Sequence, residues 1–203
     1  MIQVSINECG KKFRQKWVFK RLNYTFEPGQ KYAITGKNGS GKSTLLKMIA
    51  AYITPSAGNV KWELNSDAVA PENVFRHLAM AAPYIESIEE FTLPELIRFQ
   101  KNFKSFQPSL SENDILSVSE LADSRNKAIR FFSSGMKQRA LLSLAILSSS
   151  PLLLLDEPCA NLDADARKWY AQLLDKYGSG RTIIIASNHN REEYPGFERI
   201  ISL

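Results

Sequence analysis

The nine residues GKNGSGKST, at positions 36–44, constrain this chain more than any other stretch. KYAIT before them is a short, largely apolar strand of the kind buried in a parallel sheet, and the residues after them predict a helix over 43–53. A buried strand that turns through glycines directly into a helix needs a layered α/β architecture around it, because the strand must be covered on both faces.

The rest of the chain agrees. MIQVSI and WVFKRLNYTF read as strands, the second alternating apolar and polar residues, with EPGQ as the turn after it. PSAGNVKWEL gives a turn and a further strand. From about 92 to 149 the pattern changes to helices. Thr92 with Glu95 predicts a capping box opening LPELIRFQKNFKSF, Ser111 and Asp114 predict a second helix start, and a third helix is expected from about 136. PLLLLDE, RTIIIASN and RIISL then return as strands around the helix DADARKWYAQLLDKY. The expected fold class is α/β: a mostly parallel sheet with antiparallel strands at the N-terminus and a helical subdomain, about 92–149, inserted into a single domain spanning 1–203.

The bulk properties exclude several classes. A chain of 203 residues, 44% hydrophobic and 23% charged, suits one globular domain rather than a disordered chain. No apolar run approaches the roughly 18 residues of a membrane span, and the N-terminal stretch lacks a signal-peptide core. Cys9 and Cys159 offer no metal-binding spacing, and a reducing cytosol is expected. The net charge of +5 permits an anionic partner without requiring one.

The glycine loop matches G-x-x-x-x-G-K-[ST] through Gly36, Gly41, Lys42 and Ser43. Triphosphate oxygens need inward-pointing N–H groups with no Cβ in the way, and a helix N-terminus adds its positive end. The loop residues Gly36, Asn38, Gly39, Ser40, Gly41, Lys42, Ser43 and Thr44 are therefore the candidate ATP site. Lys42 would meet the β- and γ-phosphates, and Ser43 would offer a hydroxyl to Mg²⁺. LLLLDEP supplies the second element such a site needs, a buried strand ending in acids. Asp156 would hold Mg²⁺, and Glu157 would polarise the attacking water. His189 ends another apolar strand and lies at the same sheet edge, in reach of a γ-phosphate; His77 has no comparable setting. Together these features place the chain among P-loop NTPases.

FFSSGMKQRALLSLAIL, 131–147, resembles the ABC signature, standing here as Phe132, Ser133, Ser134, Gly135, Met136, Lys137, Gln138 and Arg139. P-loop, signature, LLLLDEP, NLD at 161–163 and then a lone His follow in the order of the ATP-binding cassette of ABC transporters, and the resemblance covers nearly the whole chain. It implies an ATPase that works as a head-to-tail pair, either a homodimer or a pair with a paralogous cassette. Ser133, Ser134 and Gly135 of one subunit would meet the ATP of the other. Asp163 matches the D-loop acid, Glu157 the catalytic carboxylate and His189 the switch histidine. Adenine would stack on Phe13, with Trp17 as the second candidate; either ring packing only against the sheet is the alternative. The family's Q-loop glutamine is missing from AAPYIESIEEFTLPE, where Glu86 is the candidate oxygen for the metal region, the plain reading being a surface acid as for Glu89 and Glu90. Ser134 replaces the first signature glycine and Met136 the glutamine. No further regulatory domain is expected after Leu203.

The resemblance further implies a separate integral membrane subunit, a cytoplasmic location at the inner face of the cell membrane, and no direct contact with nucleic acid. A non-transport ABC ATPase acting on nucleic acid or ribosomes is the alternative, but such proteins pair two cassettes in one chain or carry a long coiled coil, and neither is visible here. A kinase would have no use for the signature, and a scaffold would be expected to lose Glu157.

Overall fold

The computed structural model describes residues 1–108 and 110–203. In chain order its elements are β1 (Ile2–Phe13), β2 (Lys16–Phe26), β3 (Lys31–Thr35), α1 (Lys42–Ile49), β4 (Ala57–Leu64), β5 (Asp67–Val69), β6 (Leu78–Ala81), α2 (Leu93–Lys101), α3 (Glu112–Val118), α4 (Ser134–Ile146), β7 (Leu152–Asp156), α5 (Ala164–Tyr177), β8 (Thr182–Ser187) and β9 (Arg199–Ser202). One sheet is antiparallel, in the order β2-β1-β4-β5. The other runs β6-β7-β8-β3-β9 and is parallel throughout.

Alternation along the central strands explains how one parallel sheet serves two cores. Leu152 and Leu154 of β7, Ile184 of β8 and Ile34 of β3 face the layer containing α1 and the antiparallel sheet, where Ile2, Phe26 and Trp62 meet them. Leu153, Leu155, Ile183 and Ile185 face the opposite layer, built by α2 to α5. With both faces covered, all four leucines of β7 are fully buried, each contributing roughly 1.5–3 kcal/mol. This is why PLLLLDE reads as an uninterrupted apolar run rather than an alternating one.

The caps form as the side-chain spacing requires. Thr92 Oγ1 accepts the Glu95 N–H at 3.4 Å while the Glu95 carboxylate accepts the Thr92 N–H at 2.7 Å. Ser111 and Asp114 repeat the exchange at 3.2 and 2.8 Å. Two boundaries differ from expectation. Helix α1 stops at Ile49 instead of 53 because Ala51 turns left-handed (φ 57°) and Tyr52 and Ala51 donate to the Lys47 and Met48 carbonyls at 2.9 and 3.0 Å. That is a Schellman closure built on alanine where glycine is usual. Helix α4 starts at Ser134 rather than 136, because Ser133 accepts the Met136 N–H at 3.2 Å and caps it. Strands β5 and β6 are additions to the elements expected.

The parallel register sets up the site. Thr35 pairs with Ser187 and Asp156 with Ala186, so β3, β7 and β8 end in line at one edge.

Candidate functional site

The loop leaving β3 needs its glycines for space and for conformation. A Cβ on Gly36 would lie 2.6 Å from the Leu203 carbonyl oxygen. Gly41 has φ 108°, and a Cβ there would lie 2.6 Å from Val18 Cγ1. Ser40 N–H closes the turn onto the Lys37 carbonyl at 3.1 Å. The first main-chain bond of α1 is Leu45 N–H to the Gly41 carbonyl, at 2.8 Å. The N–H groups of Lys42, Ser43 and Thr44 precede it and are directed toward the loop, as at any helix start.

Lys42 is buried, and all three of its ammonium hydrogens are engaged. Nζ donates to the carbonyls of Gly36 at 2.9 Å and Lys37 at 3.1 Å, and to Asn188 Oδ1 at 2.6 Å. Asn188 Nδ2 donates in turn to Glu157 Oε1 at 2.7 Å. Glu157 sits just past β7 in a left-handed conformation (φ 46°), with its N–H on the Ala186 carbonyl at 2.9 Å. An open pocket of about 210 Å³ is lined by Asn38, Gly39, Gly41, Lys42, Ser43 and Thr44, with Glu157 and Val18. The structure thus gathers Asn38, Gly39, Gly41, Lys42, Ser43 and Thr44, with Glu157 from just past β7, around one small space; Gly36 is not among its lining residues. Ser40 contributes its backbone to the turn, while its hydroxyl is buried without a partner.

Asp156 is buried, and neither of its carboxylate oxygens has a hydrogen-bond partner. Burial pushes its carboxyl above the usual aspartate range, and the neighbouring Glu157 charge adds to that; Ser43, Tyr84 and Lys42 act in the opposite sense. The Ser43 and Tyr84 hydroxyls stand beside it without closing hydrogen bonds of ordinary geometry. Two orphaned oxygens next to a serine hydroxyl fit a divalent cation. Among the described residues no cluster of three or more His, Cys, Asp or Glu side chains exists to chelate one. An ion held here by one carboxylate and one hydroxyl would take its other ligands from phosphates and water, as Mg²⁺ does.

Glu86 lines the neighbouring cavities, of about 510 and 570 Å³, while the Tyr84 side chain from the same loop reaches Asp156. Burial and the Asp156 charge push the Tyr84 phenol upward, and Lys47 Nζ lies 3.7 Å from its ring centroid. His189 follows β8 by two residues, exposed and left-handed (φ 64°). Phe13 is 53% exposed at the end of β1 with Lys11 Nζ 5.2 Å from its ring; Trp17 lies between Lys12 and Lys20, at 5.5 and 5.0 Å. Ser133 and Asp163 are N-caps, of α4 and α5, the latter accepting the Ala166 N–H at 2.8 Å. Ser134 is exposed in the first turn of α4, and a Cβ on Gly135 there would come within 3.3 Å of the Asn161 carbonyl. The buried Gln138 amide donates to the Pro158 carbonyl at 2.9 Å, joining α4 to the turn after Glu157.

Asn188 and Tyr84 are the site residues that spacing did not reveal; Gln138 stands in the signature stretch, but its bond to Pro158 is not readable there. Asn188 is the one with a readable signal, since it lies at the sheet edge directly before His189.

Residues 19–160 match the family model described as ABC transporter. An uncharacterized ABC transporter ATP-binding protein, YybJ, of Bacillus subtilis is 32% identical, over 93% of this chain and 87% of its own. The cytochrome c biogenesis ATP-binding export protein CcmA of Brucella abortus is 29% identical, over 85% and 78%. A dimeric post-hydrolysis structure of the ATP-binding cassette MJ0796, bound to ADP and Pi, superposes with a TM-score of 0.83 over 98% of this chain and 94% of that one, at 23% identity.

Proposed function

The chain belongs to the ABC transporter family and is an ATPase; from that premise we propose that it powers a transporter whose membrane-spanning subunit is a separate chain. The observation that carries this reading is the convergence of the glycine loop and Glu157 on one small cavity at the carboxyl ends of β3 and β7, with Asp156 buried beside Ser43 at the same edge.

In this proposal ATP lays its phosphates along the loop. The N–H groups at the start of α1 and the Lys42 ammonium meet the oxygens, and the glycines let the backbone approach. Ser43 and Asp156 would hold Mg²⁺, which when bound neutralises charge on the phosphates. Glu157 accepts the proton of the attacking water, and His189 contacts the γ-phosphate from the same edge. Ser133, Ser134 and Gly135 present the N-terminus of α4 to the nucleotide of a second cassette, identical or paralogous, and Asp163 lies between the two sites. ATP favours the closed pair because it contacts both halves only there. Phe13 is the proposed adenine platform, and the domain is read as 1–203 with a helical part at 92–149.

The membrane subunit is proposed to dock at the cavity of about 570 Å³ lined by Tyr52, Phe75, Met80, Tyr84, Glu86 and Lys104. Tyr52 and Phe75 are 78% and 51% exposed, apolar surface that suits a partner helix. Among the described residues no helix is long and apolar enough to cross a membrane. The location we propose is the cytoplasmic face of the membrane, reached through that subunit, with no nucleic-acid partner.

Glu157→Gln tests the assignment. The variant keeps ATP binding, loses turnover by roughly a hundredfold or more, and accumulates as an ATP-bound pair in sedimentation. Turnover at the parent rate overturns Glu157 as the general base.

A further inference from the structure

We propose that Asn188 is a positioning residue for ATP hydrolysis, tying Glu157 to Lys42 so that the general base is aimed from the same point that grips the terminal phosphate. The inference rests on the reading of Lys42 and Glu157 given above and extends it to a residue with no assigned role.

The chemistry fixes which way the amide faces. Lys42 has only hydrogens to give, so the atom 2.6 Å from its Nζ is the carbonyl oxygen of Asn188. Glu157 as a carboxylate only accepts, so the atom 2.7 Å from its Oε1 is the Asn188 nitrogen. A flipped amide would set like against like at both ends. The positive charge of Lys42 therefore draws electron density toward Oδ1 and strengthens the N–H bond to Glu157, as in any chain of polarised hydrogen bonds. A direct Lys42–Glu157 ion pair would consume both groups. The amide keeps them apart while each stays hydrogen-bonded to it.

The backbone supports this arrangement. Glu157 and His189 are both non-glycine residues in the left-handed region, φ 46° and 64°, and Glu157 is pinned by its N–H to Ala186 on β8. Strands β7 and β8 are registered neighbours, so the Glu157–Asn188 bond closes across the ends of a rigid pair. Lys42 already spends its three hydrogens on Gly36, Lys37 and Asn188. A phosphate oxygen arriving at Lys42 must displace one of those acceptors. Removing Asn188 frees one hydrogen for the phosphate and at the same time leaves Glu157 without its donor.

The test is a split between binding and turnover. In Asn188→Ala, kcat falls by roughly tenfold to a hundredfold, the scale of one hydrogen bond to a charged group. Affinity for a fluorescent ribose-labelled ATP stays level or tightens. Asn188→Asp keeps an acceptor for Lys42 but repels Glu157, so kcat falls and nucleotide affinity drops by about tenfold as the new carboxylate competes for the ammonium. Combining Asn188→Ala with Glu157→Gln gives no further loss beyond Glu157→Gln alone, because the amide acts through that carboxylate. Asn188 is exposed, and thermal melts of each variant establish that it folds. The proposal is overturned if Asn188→Ala turns over at the parent rate while Glu157→Gln is inactive, or if its turnover and its nucleotide affinity decline together. If Glu157→Gln itself remains active, the general-base reading and this one fall together.

Discussion

The two edges of the parallel sheet treat buried polar atoms in opposite ways. At the amino edge of β8 nearly every one is matched. Thr182 Oγ1 donates to the Ile2 carbonyl at 2.6 Å and accepts the Gly29 N–H at 3.0 Å. The buried Arg181 guanidinium donates to the carbonyls of Ser148 at 2.8 Å, Ser150 at 3.5 Å and Ile146, with only its Nε left over. At the carboxyl edge both oxygens of Asp156, the Ser40 hydroxyl and one oxygen of the nearby Glu193 are buried without partners. Unmatched buried groups are rare because each costs about 1–3 kcal/mol. Their concentration at one edge marks where the fold gives up stability to keep binding capacity for a ligand, while the opposite edge carries the structural work.

Substitutions at the two edges should therefore differ in what they do to nucleotide binding. The largest effect expected is from Lys42→Ala, which lowers nucleotide affinity by roughly a hundredfold and, because the Gly36 and Lys37 carbonyls and Asn188 Oδ1 lose their donor, also costs the nucleotide-free protein about 1–3 kcal/mol. A titration with labelled ATP beside a thermal melt separates the two effects. Arg181→Met should cost stability alone. It strands the Ser148 and Ile146 carbonyls and lowers stability by about 3 kcal/mol, several degrees in Tm, with nucleotide affinity retained. A melt unchanged by that substitution would erase the contrast between the edges.

Asp156→Asn sharpens the comparison with a smaller effect of opposite sign. Removing an unpaired buried charge should raise nucleotide-free stability by about 1–2 kcal/mol and abolish Mg²⁺-dependent turnover. The pH dependence follows from the same group. Asp156 and Glu193 both hold their protons more tightly folded than unfolded, mainly through burial. The folded state therefore carries more protons between the ordinary carboxylate range and the raised values, and stability falls as pH rises through that window. Denaturant melts across it should show a shallower decline in Asp156→Asn than in the parent. Equal slopes would mean that Asp156 is not the group responsible.

How much of this was readable beforehand depended on whether the signal was local. The glycine loop, the caps at Thr92 and Ser111 and the buried strand LLLLD declare themselves within a few residues, because their chemistry is satisfied by neighbours in sequence. Helix α1 ran short of expectation because its terminating residue is Ala51, and alanine gives no sign of a left-handed turn. The LAMA stretch of β6 contains good helix formers, and only pairing with β7 makes it a strand. Asn188, Tyr84 and Gln138 act across 31, 72 and 20 residues of chain on Glu157, Asp156 and Pro158. No spacing rule reaches across such gaps.

The Gln138–Pro158 bond carries a mechanical consequence. Helix α4 begins with the residues proposed to touch the opposing nucleotide, and about one turn later it is fastened to the stretch that bears Glu157. A tug on the tip of that helix would be passed down a stiff rod to the stretch bearing Glu157. If two cassettes pair as proposed, each would be geared to the occupancy of its neighbour's pocket, and a pair with one vacancy would be handicapped on both sides.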